Sequence, residues 1–235
     1  ASSGWSGVSV SGDQLYVGTM EGQVISMDST TGAISWRFPA EDGSSNDLDA
    51  VYGTPLLTEM ALYVTGFNGR LYALNTDDGS VLWQNETKGG IVGSPVIADN
   101  MVIVGSEDGH LYARDASSGA IRWTFPTDDT VLGKVWSSPA IGDGKVYFGT
   151  LDHKVYAVDL ETGSQVWIRE VHGAVAAEPL VIDDVVYVGS FDRNFYALDG
   201  QTGEVLWSFG GENWFWGKAV SNGELLFVPS LDGYL

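Results

Sequence analysis

Three histidines, His110, His153 and His172, and the run Asn75-Thr76-Asp77-Asp78-Gly79 are the first residues to weigh for chemistry. Three His could bind a metal, but these are scattered and reach no common spacing, so each reads as a surface residue. The Asn75–Gly79 run has a calcium-loop flavour without the glutamate such a loop needs further on, and reads as a turn. No nucleophile elbow, phosphate-binding loop or His-Glu-x-x-His stretch occurs, and zero Cys removes thiol catalysis and Cys-held metals. Asn85-Glu86-Thr87 is a glycosylation triplet of a kind that arises by chance. The strongest pair is Glu178 with Lys218, which fall at the same place in two successive stretches of the chain. No catalytic, cofactor-binding or metal site is assigned.

Thirty-one acidic residues against 11 basic ones give the 235-residue chain a formal charge of −20. That balance excludes phosphate-backbone binding and disfavours anionic lipid surfaces. Much of the Asp sits in turns (Asp13, Asp99, Asp108, Asp143, Asp152, Asp192, Asp232), so turn chemistry explains part of the acidity. A solvated anionic surface is the main reading of the remainder, with a site for a basic partner as the alternative. No apolar run is long enough for a spanning helix, so direct membrane insertion is not expected of these residues.

The elements that must position any site are repeats. Gly-x-x-x-Trp recurs at Gly32/Trp36, Gly79/Trp83, Gly119/Trp123, Gly163/Trp167 and Gly203/Trp207. Each pair follows a run of the LYALD type (71–75, 111–115, 155–159, 195–199, and VISMD at 24–28). Each of those follows a run of the VYVG type, and LLFV at 225–228 continues that series. Within a unit, four short Val-, Tyr-, Ile- and Trp-rich runs alternate with Gly/Asp turns, and no 3.6-residue period persists. Four strands per unit of about 40–45 residues is the signature of a propeller blade. The fold class is therefore all-β: a β-propeller of four-stranded antiparallel blades in one domain spanning 1–235. Its blades fall at about 5–38, 52–85, 92–125, 136–169 and 176–209, with a partial sixth at 216–235.

The motif Ala-x-Asp-x-x-Thr-Gly-x-x-x-Trp, present as Ala157, Asp159, Thr162, Gly163, Trp167 and again as Ala197, Asp199, Thr202, Gly203, Trp207, resembles the tryptophan-docking motif of PQQ-like (quinoprotein-type) propeller repeats. The other three units carry it with replacements, among them Ser26 for Ala, Asn75 for Asp, and Ser118 for Thr. The resemblance implies that Trp36, Trp83, Trp123, Trp167 and Trp207 are structural, each wedged against the adjoining blade, and that eight blades are the norm. The sixth unit stops before its last two strands and only four residues precede Trp5. The expectation is a fragment of a longer ring, with an open arc completed by another chain as the alternative.

Unit starts align as Trp5-Ser6-Gly7, Tyr52-Gly53-Thr54, Val92-Gly93-Ser94, Trp136-Ser137-Ser138, Ala176-Ala177-Glu178 and Trp216-Gly217-Lys218. They lead into the innermost strands and should ring the channel mouth. The long connections 37–51 (with Glu41, Asp42, Asp47 and Asp49), 124–135 and 208–216 enter the same face. The candidate partner-binding face is Trp5, Tyr52, Trp136, Glu178, Trp214, Phe215, Trp216 and Lys218. The resemblance extends to BamB-type proteins of outer-membrane assembly. It implies a non-enzymatic scaffold in the periplasm or elsewhere outside the cytoplasm, with envelope proteins as partners and no cofactor. The alternatives are the sensor domain of a membrane kinase, or a fragment of a PQQ-dependent dehydrogenase that would bind PQQ with calcium.

Overall fold

The computed structural model describes residues 6–40, 48–127 and 130–231. Five complete blades follow one another, each a four-stranded antiparallel sheet in simple chain order. The first comprises Val8–Ser11, Gln14–Gly18, Val24–Asp28 and Ile34–Phe38. The second comprises Leu56–Leu57, Leu62–Thr65, Arg70–Leu74 and Val81–Glu86; the third Val96–Ala98, Met101–Gly105, Leu111–Asp115 and Ile121–Phe125. The fourth comprises Ala140–Gly142, Lys145–Gly149, Lys154–Asp159 and Gln165–Glu170; the fifth Leu180–Ile182, Val185–Gly189, Asn194–Asp199 and Val205–Gly210. Val220–Ser221 and Leu226–Phe227 begin a sixth. The blades are part of a propeller. First strands of neighbouring blades approach each other, so they line the axis.

Packing explains why the middle strands read as continuous apolar runs. Met101–Gly105 is buried at every position, and Leu62–Thr65 likewise, because each sheet face meets another blade. The core is accordingly a series of inter-blade seams. One joins Trp36 and Phe38 to Tyr72 and Leu74; another joins Trp123 and Phe125 to Val146, Tyr156 and Val158.

The Trp motif makes the seam specific. Asp28, Asp115, Asp159 and Asp199 each accept backbone N–H groups two or three residues on, closing an Asx turn. At Asp115 the side-chain hydroxyls of Ser117 and Ser118 add to these and hold the carboxyl down at about 2. The turn presents a carbonyl to the preceding blade. Trp36 donates its indole N–H to Thr76 O, Trp83 to Ala116 O, Trp123 to Leu160 O and Trp167 to Gly200 O, all at 2.9 Å. In three seams a tyrosine from the Trp's own blade shares that carbonyl: Tyr16 at 3.4 Å, Tyr63 at 2.9 Å and Tyr147 at 3.1 Å. Burial, then the charges of Asp184, Asp143 and Asp199, push the Tyr147 phenol up to about 12.

Glycine at the motif has two reasons. Gly163 sits at φ +69, and a Cβ there would lie 2.7 Å from the Trp123 ring. No other residue satisfies both demands.

Candidate functional site

Antiparallel order puts the hairpins between second and third strands, together with the inter-blade linkers, at one end of the propeller. Each linker is tied to both neighbours through its backbone. Ala50, Gly90, Lys134 and Ala174 accept from Phe67, Glu107, Leu151 and Phe191, hairpin residues of the blade that follows. The next residue in each linker, Val51, Ile91, Val135, Val175 and then Phe215, donates back to the blade before it. The sixth unit keeps the pattern, with Leu231 donating to Trp214 O. Two series of side chains are thereby fixed around the channel mouth. One is the unit starts; the other is the hairpin tips Met20, Phe67, Glu107, Leu151, Phe191 and Leu231.

The two series meet in pairs. Tyr52 packs on Phe67 at 5.4 Å between centroids and 80° between planes. Trp136 donates its indole N–H to Glu107 Oε1 at 2.8 Å, and Lys134 Nζ binds the same oxygen at 3.1 Å. Phe191 is sandwiched between Trp214 at 4.8 Å and Trp216 at 5.0 Å. Trp136 and Trp216 then meet edge to face, 6.4 Å apart at 66°. Together with Met20, Val92 and Ala176 these rings enclose a recess of about 450 Å³ that also exposes Thr54, Ser94 and Ser138. Such a volume and lining are those of a ligand pocket.

The hydroxyls of this recess form a relay. Gly7 N–H donates to Thr54 Oγ1, Thr54 N–H to Ser94 Oγ, and Ser94 N–H to Ser138 Oγ, at 3.0, 2.8 and 2.8 Å. At the equivalent place in blade five stands Glu178, and Lys218 of the sixth unit binds its carboxylate. Glu178 faces the adjoining part of the channel, beside Ser9, Thr54 and Ser94.

Of the candidate partner-binding residues, Tyr52, Trp136 and Trp216 line one recess, Trp214 stacks behind Trp216 across Phe191, and Glu178 and Lys218 pair deeper in the channel. Trp5 lies outside the described residues, as do Glu41, Asp42, Asp47 and Asp232. Phe215 requires a correction. It is 3% exposed and packs on Phe195, so it belongs to the core and is not a rim anchor. The repeat explains this: Phe215 occupies the place of Val51, Ile91, Val135 and Val175, each fully buried. Sequence reasoning missed Phe67, Glu107 and Phe191. The signal was available, since these are equivalent hairpin positions that carry a large residue in every unit.

The titratable residues elsewhere have structural duties. Asp108 and Asp192 each accept a tyrosine hydroxyl, from Tyr112 and Tyr196, at 2.7 Å, and each also accepts a linker N–H, from Lys88 and His172. Burial, then the hydrogen bond to the carboxylate, raises both phenols. His110 bonds around Asp108, and His153 fills a positive-φ hairpin place. Asn75 and Asp78 cap their own docking turn, and Asn85 donates to Gly119 O of the next blade. Among the described residues no three His, Asp or Glu side chains come together to hold a metal. Glu178, the carboxylate that the sequence places near the channel mouth, is engaged by Lys218.

A family model described as outer membrane protein assembly factor BamB matches residues 2–59, 45–174 and 130–228. Among solved structures, BamB from Moraxella catarrhalis is similar at a TM-score of 0.77 and 24% identity, over 97% of this chain and 67% of that one. The computationally designed Ika8 protein is similar at 0.79 and 18% identity, over 97% of this chain and 69% of that one. These two likenesses show the fold. No curated protein sequence matches significantly.

Proposed function

We propose that this chain, which belongs to the family described as outer membrane protein assembly factor BamB, is a non-enzymatic interaction propeller of the cell envelope. Its partner surface is the channel mouth built by the hairpin tips and unit starts, and its partners are envelope proteins. No cofactor enters this reading. The observation that carries it is the convergence of Tyr52, Phe67, Trp136 and Trp216 on one open recess while Trp214, across Phe191 from Trp216, stays 44% exposed. Large aromatic side chains held by a rigid frame are what protein interfaces use as anchors.

The test is capture of partners from a detergent-solubilised envelope fraction, with the chain as bait. Outer-membrane assembly proteins should be enriched, and Trp214→Ala with Trp216→Ala should lose at least about 1 kcal/mol of binding. Phe215 is left intact so that the core is undisturbed. Capture unchanged in the double variant would refute the mouth as the partner face.

A further inference from the structure

The geometry points to the kind of group the recess takes: a tyrosine side chain projecting from a partner polypeptide, ring between the aromatic walls and phenol oxygen on the serine floor. This rests on the mouth being the partner face and adds the chemistry of the guest.

Charge selects first. Among the described residues no charged side chain lines the recess; Glu107, bonded to the lining Trp136, and Glu178, on the adjoining channel, are already bound by Lys134 and Lys218. A cationic guest would find no free counter-charge, and a buried unpaired charge is costly. An anionic guest would meet a chain of formal charge −20. The guest is neutral.

Shape and polarity select next. The walls are rings held in place by other groups: Trp136 by Glu107, Trp216 by Phe191. Aromatic pairs prefer offset or edge-to-face contact, which such walls offer to a flat guest. Thr54 and Ser94 also line the next stretch of channel, which places them at the deep end. Each floor hydroxyl accepts a backbone N–H, and its own proton remains to be donated. The matching guest carries an acceptor at the tip of a ring. Phenol does so and a phenyl group does not. Phe67 on the recess and Trp214, across Phe191 from the wall Trp216, also stand exposed, an apolar area wider than one small molecule would cover, which selects a polypeptide.

The probe is p-cresol, the tyrosine side chain itself, titrated into the intact chain while indole N–H resonances are followed by NMR. Saturable shifts confined to Trp136, Trp214 and Trp216 are expected, and p-cresol should bind about 3- to 10-fold more tightly than toluene. Ser94→Ala with Ser138→Ala should erase that preference while toluene binding stays. Ala176→Phe, which fills the recess, should abolish both. If that variant disturbs the docking Trp resonances, Trp216→Leu serves instead. Absence of saturable shifts, an equal response to n-butylammonium, or a preference that survives loss of both serines would overturn the proposal. Saturable p-cresol binding without envelope capture would support the pocket and remove the envelope reading. Capture abolished by the Trp pair but untouched by Ala176→Phe would overturn the pocket alone.

Discussion

Trp136 and Trp216 stand two blades apart in the chain and still touch, 6.4 Å between centroids, because Ala176 of the intervening blade leaves the space open. Their orientations come from a shared hairpin-tip position, a carboxylate in one blade (Glu107) and a ring in another (Phe191). Phe191→Ala removes the layer between Trp214 and Trp216. Partner capture should fall about 10-fold, as for loss of an interface anchor. A urea midpoint that collapsed alongside capture would mean that Phe191 serves folding and not the mouth.

The docking tryptophans carry the seams. Trp123 is 6% exposed and bonded to Leu160 O. Trp123→Ala should cost about 3–5 kcal/mol. Chemical denaturation decides; a loss below about 1 kcal/mol would contradict the seam described above.

Two glycines separate backbone strain from steric conflict. Gly144 has φ +68 with open space where a Cβ would go, while Gly163 has φ +69 with the Trp123 ring 2.7 Å away. Gly144→Ala should cost about 1–2 kcal/mol, the left-handed penalty alone. Gly163→Ala should cost more by at least about 1 kcal/mol, since the ring must move. The difference in melting midpoint between the two variants measures the close approach.

Arg114 occupies a place that is Met27, Leu74, Val158 or Leu198 in the other blades. It is 5% exposed, its Nη1 has no hydrogen-bond partner, and its guanidinium lies 5.0 Å over the Tyr112 ring. Burial lowers its affinity for the proton. Arg114→Leu should therefore stabilise the chain by about 1 kcal/mol or more, since an apolar residue replaces a poorly compensated buried charge. A lower melting midpoint would show that the ring contact outweighs the desolvation.

The Asx turns set the acid limit. Hydrogen bonds from Ser117 and Ser118 hold Asp115 at about 2, and Asp28, Asp159 and Asp199 are lowered in the same direction by their own turn N–H and hydroxyl groups. An unfolded Asp titrates near 3.9. A group depressed on folding contributes stability that is fully present above the unfolded value and lost as pH falls through the folded one. Stability should be level down to about pH 4 and decline towards pH 2. Asp115→Asn keeps an acceptor without the charge, so its denaturation midpoint should fall less steeply in that window; an identical slope would exclude Asp115 as a contributor.

The blades were legible in the sequence because the seam repeats: five Gly/Trp pairs at one spacing can only be a stack. The mouth was partly legible, since Tyr52, Trp136 and Trp216 share a repeat position that must face the axis. What escaped were Phe67, Glu107 and Phe191, which share a repeat position of their own but whose contacts with the unit starts depend on side chains that differ between blades. Phe215 misled for the opposite reason. Its neighbours are rim residues, and only alignment with Val51, Ile91, Val135 and Val175 reveals that it faces inward. Adjacency in a short linker says little, since successive side chains there point to opposite sides.

Main-chain N–H and C=O groups of each linker bind both adjacent blades. The backbone path at the mouth is therefore set without the tip and start side chains, which vary from Ala to Trp on one frame. Such a rim behaves as a keyboard: each blade supplies two keys on a fixed bed. Descendants of this chain could acquire a new partner by exchanging a handful of tip residues, leaving every tryptophan seam as it stands.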